Sequence, residues 1–419
     1  MSSSHPHPGD TMESRLAETQ VPPPTAETAP QRQSSSYTDK PPEGPAEPYP
    51  ERNEPAIEPF SSSATYLYTL SYLVFFSIFG TLARLGLQAL TFYPGAPVVT
   101  GVLWANVGGS LLMGFFLEDK NIFREEWGHP HGNDNTNDTA DDSKRHTTIK
   151  KTIPLYIGLT TGFCGSFTSF SSFIRDIFLA LSNDLPNPSI PSSPSPRNGG
   201  YSFMALVAII LTQVSLSIAA LISGSHLALA LDRFTLPPPI PFRLTRRIID
   251  PLFALLAWGC WLGTIILAIW PPSETWRGRA VFAIVFAPLG CLLRFYLSLV
   301  LNARIPSFPL GTFTVNILGT IILAMCFDLQ HVDGIGASGA PRAATSSVLV
   351  SCQVLQGVMD GFCGSATTVS TWVAELNGLS RRLHAYIYGF MSVGVAWGFF
   401  VIIAGSLRWT VGFGTPVCD

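Results

Sequence analysis

Long apolar runs separated by short polar interruptions fill the chain from residue 65 onward. A helix needs about twenty apolar residues to cross a bilayer core. Windows of that length mark nine runs, at 65–90, 97–117, 153–181, 203–231, 251–270, 280–301, 310–329, 348–376 and 385–407. The pattern predicts an all-α polytopic membrane protein with nine transmembrane helices. Residues 1–63 follow another pattern, rich in Pro, Ser, Glu and Thr with no apolar run. Such a stretch buries too little apolar surface to offset its ordering entropy, so a disordered tail is expected. It has no apolar core behind a basic start, so the first span rather than a signal peptide is expected to direct insertion. The interruptions at 118–152 and 182–200 are long, and the first contains HPHGNDNTNDTADDSKRH.

The runs repeat. Gly80-Thr-Leu-Ala-Arg84 corresponds to Gly290-Cys-Leu-Leu-Arg294 at an offset of 210, and Asn106 and Gly109 correspond to Asn316 and Gly319 at the same offset. GFCGSFTSFSSF, starting at Gly162, corresponds to GFCGSATTVSTW, starting at Gly361, at an offset of 199. Spans one to four therefore recur as spans six to nine, with the fifth as a linker helix. An odd number of crossings before the second unit inverts it relative to the first, as in many transport proteins. The predicted organisation is a tail (1–63), a first four-helix repeat (64–231), a linker with the fifth span (232–278), a second inverted four-helix repeat (279–407) and a short tail (408–419).

Composition sharpens this picture. The chain has 419 residues, of which 13% are charged and 47% hydrophobic, against about 25% charged in ordinary soluble proteins. A net charge of -3 provides no basic field for nucleic acid. The seven cysteines form no CxxC pair, and six lie in or beside apolar runs, which reads as buried small hydrophobes; only Cys418 is near a polar end. With the N-terminus in the cytosol, inside loops hold Lys120, Arg124, Lys144, Arg145, Lys150, Lys151, Arg233, Arg243, Arg246, Arg247, Arg304, Arg381 and Arg382. Outside loops hold Arg197, Arg277, Arg279, Arg342 and Arg408, so the excess of inside charge predicts a cytosolic N-terminus and an external C-terminus.

Several residues carry candidate chemistry. Glycines in each GFCGS segment either let helices pack closely or break the helix and release carbonyls at mid-membrane, where a cation can satisfy them. Asn106 and Asn316 are single amides in apolar runs, suited either to an interhelical hydrogen bond or to donating N–H to an anion in a pore. Arg84 and Arg294 read either as snorkelling anchors or as attractive charges at a vestibule. Hydroxyls follow the breaks: Thr168, Ser169 and Ser171, then Thr367, Thr368, Ser370 and Thr371. Ser215, Ser217, Tyr388 and Ser392 extend that set on the fourth spans, although hydroxyls in spans also bond their own backbone. Asp176, Asp360 and Glu375 sit near span ends, where proton coupling is one role open to them. No GxxxxGK[ST], HExxH, GxSxG or paired-carboxylate motif is present, and His129 to His131 lie in a polar loop, so no enzyme is expected.

The paired G-x-x-x-R, N-x-x-G and GFCGS-x-T motifs, spanning about 65–407, resemble the fluoride export channel family, called Fluc or CrcB in bacteria and FEX in eukaryotes. The resemblance implies two four-helix units joined by a linker helix in one chain, acting as a monomer in the plasma membrane. It implies fluoride pores lined by Asn106, Asn316, Thr168, Ser171, Thr367, Ser370, Ser217 and Ser392. Phe170 and Phe173 would turn their positive ring edges to the anion. A structural sodium ion is implied, held by backbone carbonyls near Gly165, Ser166, Gly364 and Ser365. The second repeat departs from the pattern, with Val369 and Trp372 where the first has the phenylalanines, so two pores of unequal competence are expected. The function so implied is passive, fluoride-selective export. The alternatives are an anion/proton secondary transporter and a non-transporting membrane interaction module.

Overall fold

The structure, a computed structural model, describes residues 62–123, 150–189, 198–232, 234, 244–271, 273, 276–337 and 346–418. Among these residues the regular structure is helical, apart from isolated bridges of Asp333 to Ala337 and Ala337 to Pro416. Helix α1 is Ser62–Thr91 and α2 is Val102–Glu118. The third apolar run is divided. Its first part, α3 (154–167), consists of Pro154–Ile157, a π-helical Gly158–Cys164 and Gly165–Phe167, and its second part is α4, Phe170–Ser182. Helix α5 is Gly199–Leu231, with the side chain of Asn198 accepting from the Tyr201 N–H at 3.0 Å as its N-cap. The linker helix α6 is Thr245–Ile269.

The second half repeats this order. Helices α7 (Phe282–Leu301) and α8 (Leu310–Gln330) are followed by another divided run. Its first part, α9 (346–366), consists of Ser346–Gly357, a π-helical Val358–Cys363 and Gly364–Ala366. Helix α10, Ser370–Gly378, completes the run, and α11 is Arg382–Thr410. The sequence pattern predicts single spans over 153–181 and 348–376. In the structure each run is a broken helix, one of the two readings open for the GFCGS glycines, with extended backbone at the break held by the opposite half.

Six helices, α1, α5, α6, α7, α8 and α11, are long and apolar enough to cross a membrane, so this is a multi-pass membrane protein. The shorter α2 is also apolar. Helix α6 is apolar on nearly all sides, with Leu255 73% and Leu262 59% exposed, as expected for a helix set against lipid. It is tied to α1 by Tyr72 Oη donating to Asp250 Oδ1 at 2.8 Å and by Trp258 Nε1 donating to Ser71 Oγ at 3.1 Å. Helices α1 and α7 pack together at the centre, α2 pairs with α5, and α8 pairs with α11. The segments after the breaks cross over: α4 packs against α8 and α11, and α10 packs against α2 and α5.

The cysteine reading is corrected at one pair. Cys164, Cys291 and Cys363 are buried and free, but Cys352 and Cys418 form a disulfide with their Cα atoms 5.8 Å apart. The tail after α11 folds back, with the Gly414 N–H donating to His331 O and the Val417 N–H to Gly336 O, each at 3.0 Å. That return brings Cys418 to the start of α9, 66 residues away in sequence. Alkylation without reductant is expected to leave Cys352 and Cys418 unmodified, and reduction to make both reactive. Labelling of Cys418 before reduction would contradict the bridge.

Several sequence expectations lie outside the described residues: the tail up to residue 61, residues 124–149 of the 118–152 loop with His129 to His131, and residues 190–197 of the 182–200 loop. Of the basic residues counted for orientation, Arg124, Lys144, Arg145, Arg197, Arg233, Arg243 and Arg342 also lie outside them.

Candidate functional site

The two helix interruptions meet. Helix α3 stops at Phe167 because Thr168 is extended (φ −94°, ψ 152°), and α9 stops at Ala366 because Thr367 adopts the same conformation (φ −93°, ψ 148°). Thr168 Oγ1 lies 3.0 Å from Thr368 Oγ1 and 3.2 Å from Ser370 Oγ, and it accepts from the N–H groups of Val369 and Ser370 at 3.2 Å each. Thr367 Oγ1 accepts from the Ser171 N–H at 3.0 Å and lies 3.0 Å from Ser171 Oγ. At the offset of 199, Thr168 corresponds to Thr367 and Ser171 to Ser370. The same contact is therefore made in both directions, the reciprocity of a two-fold arrangement. Each threonine meets orphan donors at the start of the other half's helix, which a helix terminus requires.

The two asparagines brace these breaks. Asn106 Oδ1 accepts from the Ser169 N–H at 2.8 Å while Nδ2 donates to Ser169 O at 3.3 Å. Asn316 does the same with Thr368, at 2.9 and 3.3 Å. An amide nitrogen carries two N–H groups, so this bracket engages one and leaves the other for a further acceptor. The N-x-x-G motif follows from packing: a Cβ on Gly109 would strike the Thr168 methyl, and one on Gly319 would strike the Thr367 methyl.

Arg84 and Arg294 are buried, at 1% and 2% exposure. Arg84 donates to Gly364 O at 2.6 Å and to Asp360 O, and Arg294 donates to Ser365 O at 3.0 Å and to Thr161 O at 2.6 Å. Asp360 is the counterpart of Thr161 at the offset of 199, so the bonds to Asp360 O and Thr161 O are reciprocal, whereas Gly364 O and Ser365 O both belong to the second half. The guanidinium groups lie against Gly165 and Gly364, where any side chain would collide with them. The physical cause is the pair of helix ends. The C-terminal carbonyls of α3 and α9 carry the negative ends of their dipoles, and buried cations with many N–H donors satisfy them. Both arginines are thus turned inward rather than snorkelling, and Arg294 also lines a cavity beside the crossing.

Phe170 and Phe173 are both fully buried and meet edge to face, with ring centroids 5.8 Å apart. Phe170 also meets Trp372, at 5.3 Å and 68°. Ser217 is buried on α5 and accepts from Gln213 Nε2 at 3.5 Å, whereas Ser215 is exposed, on the outer face. Ser392 donates to Tyr388 O at 2.7 Å, the ordinary back-bond of a helical hydroxyl. Ser169 caps α4, accepting from the Ser172 N–H at 3.2 Å.

Two cavities approach this crossing. The first is lined by Met113, Lys151, Thr161, Arg294, Thr371 and Glu375, among others. The second is lined by Gln88, Asp176, His331, Asp360 and Phe413, among others. They are counterparts: Thr161 maps to Asp360 and Asp176 to Glu375 at 199, and Ser298 in the first maps to Gln88 in the second at 210. Burial pushes the Lys151 ammonium, at the mouth of the first, down to about 8. Glu375 is held by Thr312 Oγ1 and Tyr388 Oη, each donating at 2.6 Å, while Asp176 lies 3.5 Å from Arg175. Sequence reading misses the cluster around Glu375, because Thr312 and Tyr388 reach it from two other helices. It also misses the carbonyl partners of the arginines. The offset that G-x-x-x-R shares with N-x-x-G is the advance signal that the arginines belong to the centre.

Fold and crossing together define a multi-pass helical membrane protein built from two related halves that interlock through their broken helices. The chain belongs to the CrcB-like protein family, also described as Camphor Resistance (CrcB), which matches residues 71–225 and 281–406. It is 52% identical over 404 residues to Fluoride export protein 1 of Neurospora crassa, covering 90% of this chain and 74% of that one. It is 34% identical to Fluoride export protein 1 of Candida albicans, covering 86% and 85%. The bacterial Fluoride-specific ion channel FluC of Pseudomonas paraeruginosa is 32% identical over 139 residues, 32% of this chain and 98% of that protein. No solved structure matches.

Proposed function

We propose that this protein is a passive, fluoride-selective membrane channel that exports cytosolic fluoride and so confers fluoride resistance. The observation that carries the reading is the agreement of the family's two matched stretches and the relatives' names with the reciprocal crossing of buried amides, hydroxyls and ring edges. Named relatives are export proteins and ion channels, not enzymes. No coupled fuel is needed, because an inside-negative potential contributes about 2.3 kcal/mol per 100 mV to the outward movement of a monovalent anion.

The finer architecture belongs to the same proposal. Nine spans, with the halves inverted about the crossing, are supported by the reciprocal contacts and by the single linker α6. The division into 64–231 and 279–407 is supported by the family match to one stretch within each. A cytosolic N-terminus and an external C-terminus are supported by the basic loops, and a monomer in the plasma membrane follows from the family resemblance of the two joined units. The Cys352–Cys418 disulfide also supports an external C-terminus, since such bonds persist in oxidising compartments.

A sodium ion is proposed at the carbonyls of Gly165, Ser166, Gly364 and Ser365. An all-oxygen set at two converging helix C-termini fits a hard cation, and a carbonyl engaged by an arginine retains a second lone pair. Proteoliposomes held at an inside-negative potential are expected to release fluoride rapidly and chloride hardly at all, with slower fluoride release when N-methylglucamine replaces sodium. Equal chloride release would refute the selectivity, and unchanged flux without sodium would refute the ion. A second reading, anion/proton exchange, is favoured by the buried carboxyls Glu375 and Asp176 at the cavities. Electroneutral flux would establish it in place of the channel.

A further inference from the structure

We propose that the indole N–H of Trp372 and the hydroxyl of Ser110 are anion-coordinating donors in the path between α2, α5 and α10. Both groups are buried, at 1% and 0% exposure, and neither Trp372 Nε1 nor Ser110 Oγ has a hydrogen-bond partner in the protein. A buried polar group without a partner costs about 1–3 kcal/mol, and nearly all such groups are satisfied in native proteins. An indole nitrogen only donates, so what Trp372 lacks is an acceptor.

The helical back-bond that satisfies most hydroxyls in spans is not used at Ser110. Its counterpart at the offset of 210, Thr320, does make that bond, to Asn316 O at 2.7 Å. The difference extends along the related path. Position 173 carries Phe, without a polar atom, where Trp372 stands, and Ser392 and Tyr388 are engaged with Tyr388 O and Glu375. The hydroxyls of Thr320, Tyr388 and Ser392 on that side are satisfied within the protein, whereas Trp372 Nε1 and Ser110 Oγ on this side are not; elsewhere on α8 and α11, Asp328 Oδ1 and Trp397 Nε1 also lack a partner.

Position supports the pairing. Helix α10 packs directly on α2 and α5. Met113 and Thr371 line the first cavity; Ser110 lies about one helical turn from Met113 toward Asn106, and Trp372 follows Thr371. The Trp372 ring meets Phe170, whose edge the fluoride reading already brings to the anion. The ligand chemistry is that of a small monatomic anion with strong acceptor character, since N–H and O–H donors to an ion bind about twice as strongly as to neutral acceptors. On this view the departure of the second repeat from the phenylalanine pattern is a gain of a donor, not the loss of a site.

The inference rests on the fluoride-channel reading, and the test separates the two. Full-length chain in liposomes is assayed for initial fluoride efflux over a range of internal fluoride, as wild type, Trp372→Phe, Ser110→Ala and the double variant. Trp372→Phe keeps an aromatic ring and installs the residue found at the related position 173. Each single change is expected to lower efflux at limiting fluoride about tenfold, as loss of one charge-assisted hydrogen bond should, and to raise the half-saturating fluoride concentration. A wild type without fluoride efflux would refute the channel reading itself. A conducting wild type with both variants unchanged would mean the two groups hold only buried water, and would overturn this inference alone. A monodisperse elution profile in detergent for each variant, with efflux lowered uniformly at every fluoride concentration, would also overturn it, since that pattern marks a scaffold effect.

Discussion

Asn106→Leu is expected to reduce fluoride efflux at least about a hundredfold and to abolish fluoride resistance in cells that depend on this chain. The side chain is fully buried, and its amide both accepts from and donates to Ser169, the residue at the break between α3 and α4. Leucine leaves a backbone N–H and a carbonyl without partners, each costing about 1–3 kcal/mol. It also removes the remaining amide N–H that can face an anion. The related change Asn316→Leu separates these roles. Comparable loss from both variants identifies the asparagines as braces of the crossing, whereas loss from only one identifies an anion contact in one path. Wild-type efflux from Asn106→Leu would refute the site. Phe170→Ile, which removes the ring edge but keeps an apolar side chain, is expected to impair resistance less severely.

The largest effect on stability is expected from Gly114→Val and Gly224→Val. Helices α2 and α5 approach so closely here that a Cβ on Gly114 would fall on the carbonyl oxygen of Leu221, and one on Gly224 on that of Leu111. The obstacle in both cases is backbone, which no rotamer change can clear, so the cost exceeds the roughly 1–3 kcal/mol of ordinary overpacking. Close backbone approach through small residues is how helices associate in lipid, where no hydrophobic force separates them from solvent. Each variant is expected to lose its monodisperse peak in detergent and its thermal transition. Gly259→Ala and Gly263→Ala on α6 provide the control, since a Cβ at either meets nothing within 4 Å. Their melting temperatures should stay at the wild-type value. A stable Gly224→Val protein would mean that the α2–α5 contact is not as close as the structure has it.

The membrane class was legible in the sequence because a bilayer demands long uninterrupted apolar segments, a constraint written one residue after another. The two related halves were legible because their motifs share fixed offsets, and the glycines at Gly165 and Gly364 pointed to the breaks. Arg84 and Arg294 were harder: a lone arginine in an apolar run has the same local pattern whether it reaches toward water or inward. Their burial against Gly364 O, Ser365 O and Thr161 O depends on residues 71 to 280 positions away. Cys418 likewise looked like an isolated residue in a polar end until the tail returned it to Cys352.

Taken by itself, the sequence determined that the chain lies in a membrane, that it is built twice, and that both copies carry the same motif of breakable helix, because each of these is a local or periodic property. Only the tertiary structure decided what the paired GFCGS motifs do. It interlocked Thr168 with Ser370 and Thr367 with Ser171, and it turned both arginines onto the helix ends. It left Trp372 and Ser110 as donors without acceptors. The physical reason is that a hydrogen bond is fixed by the meeting of two groups in space, and here the partners come from opposite halves of the chain.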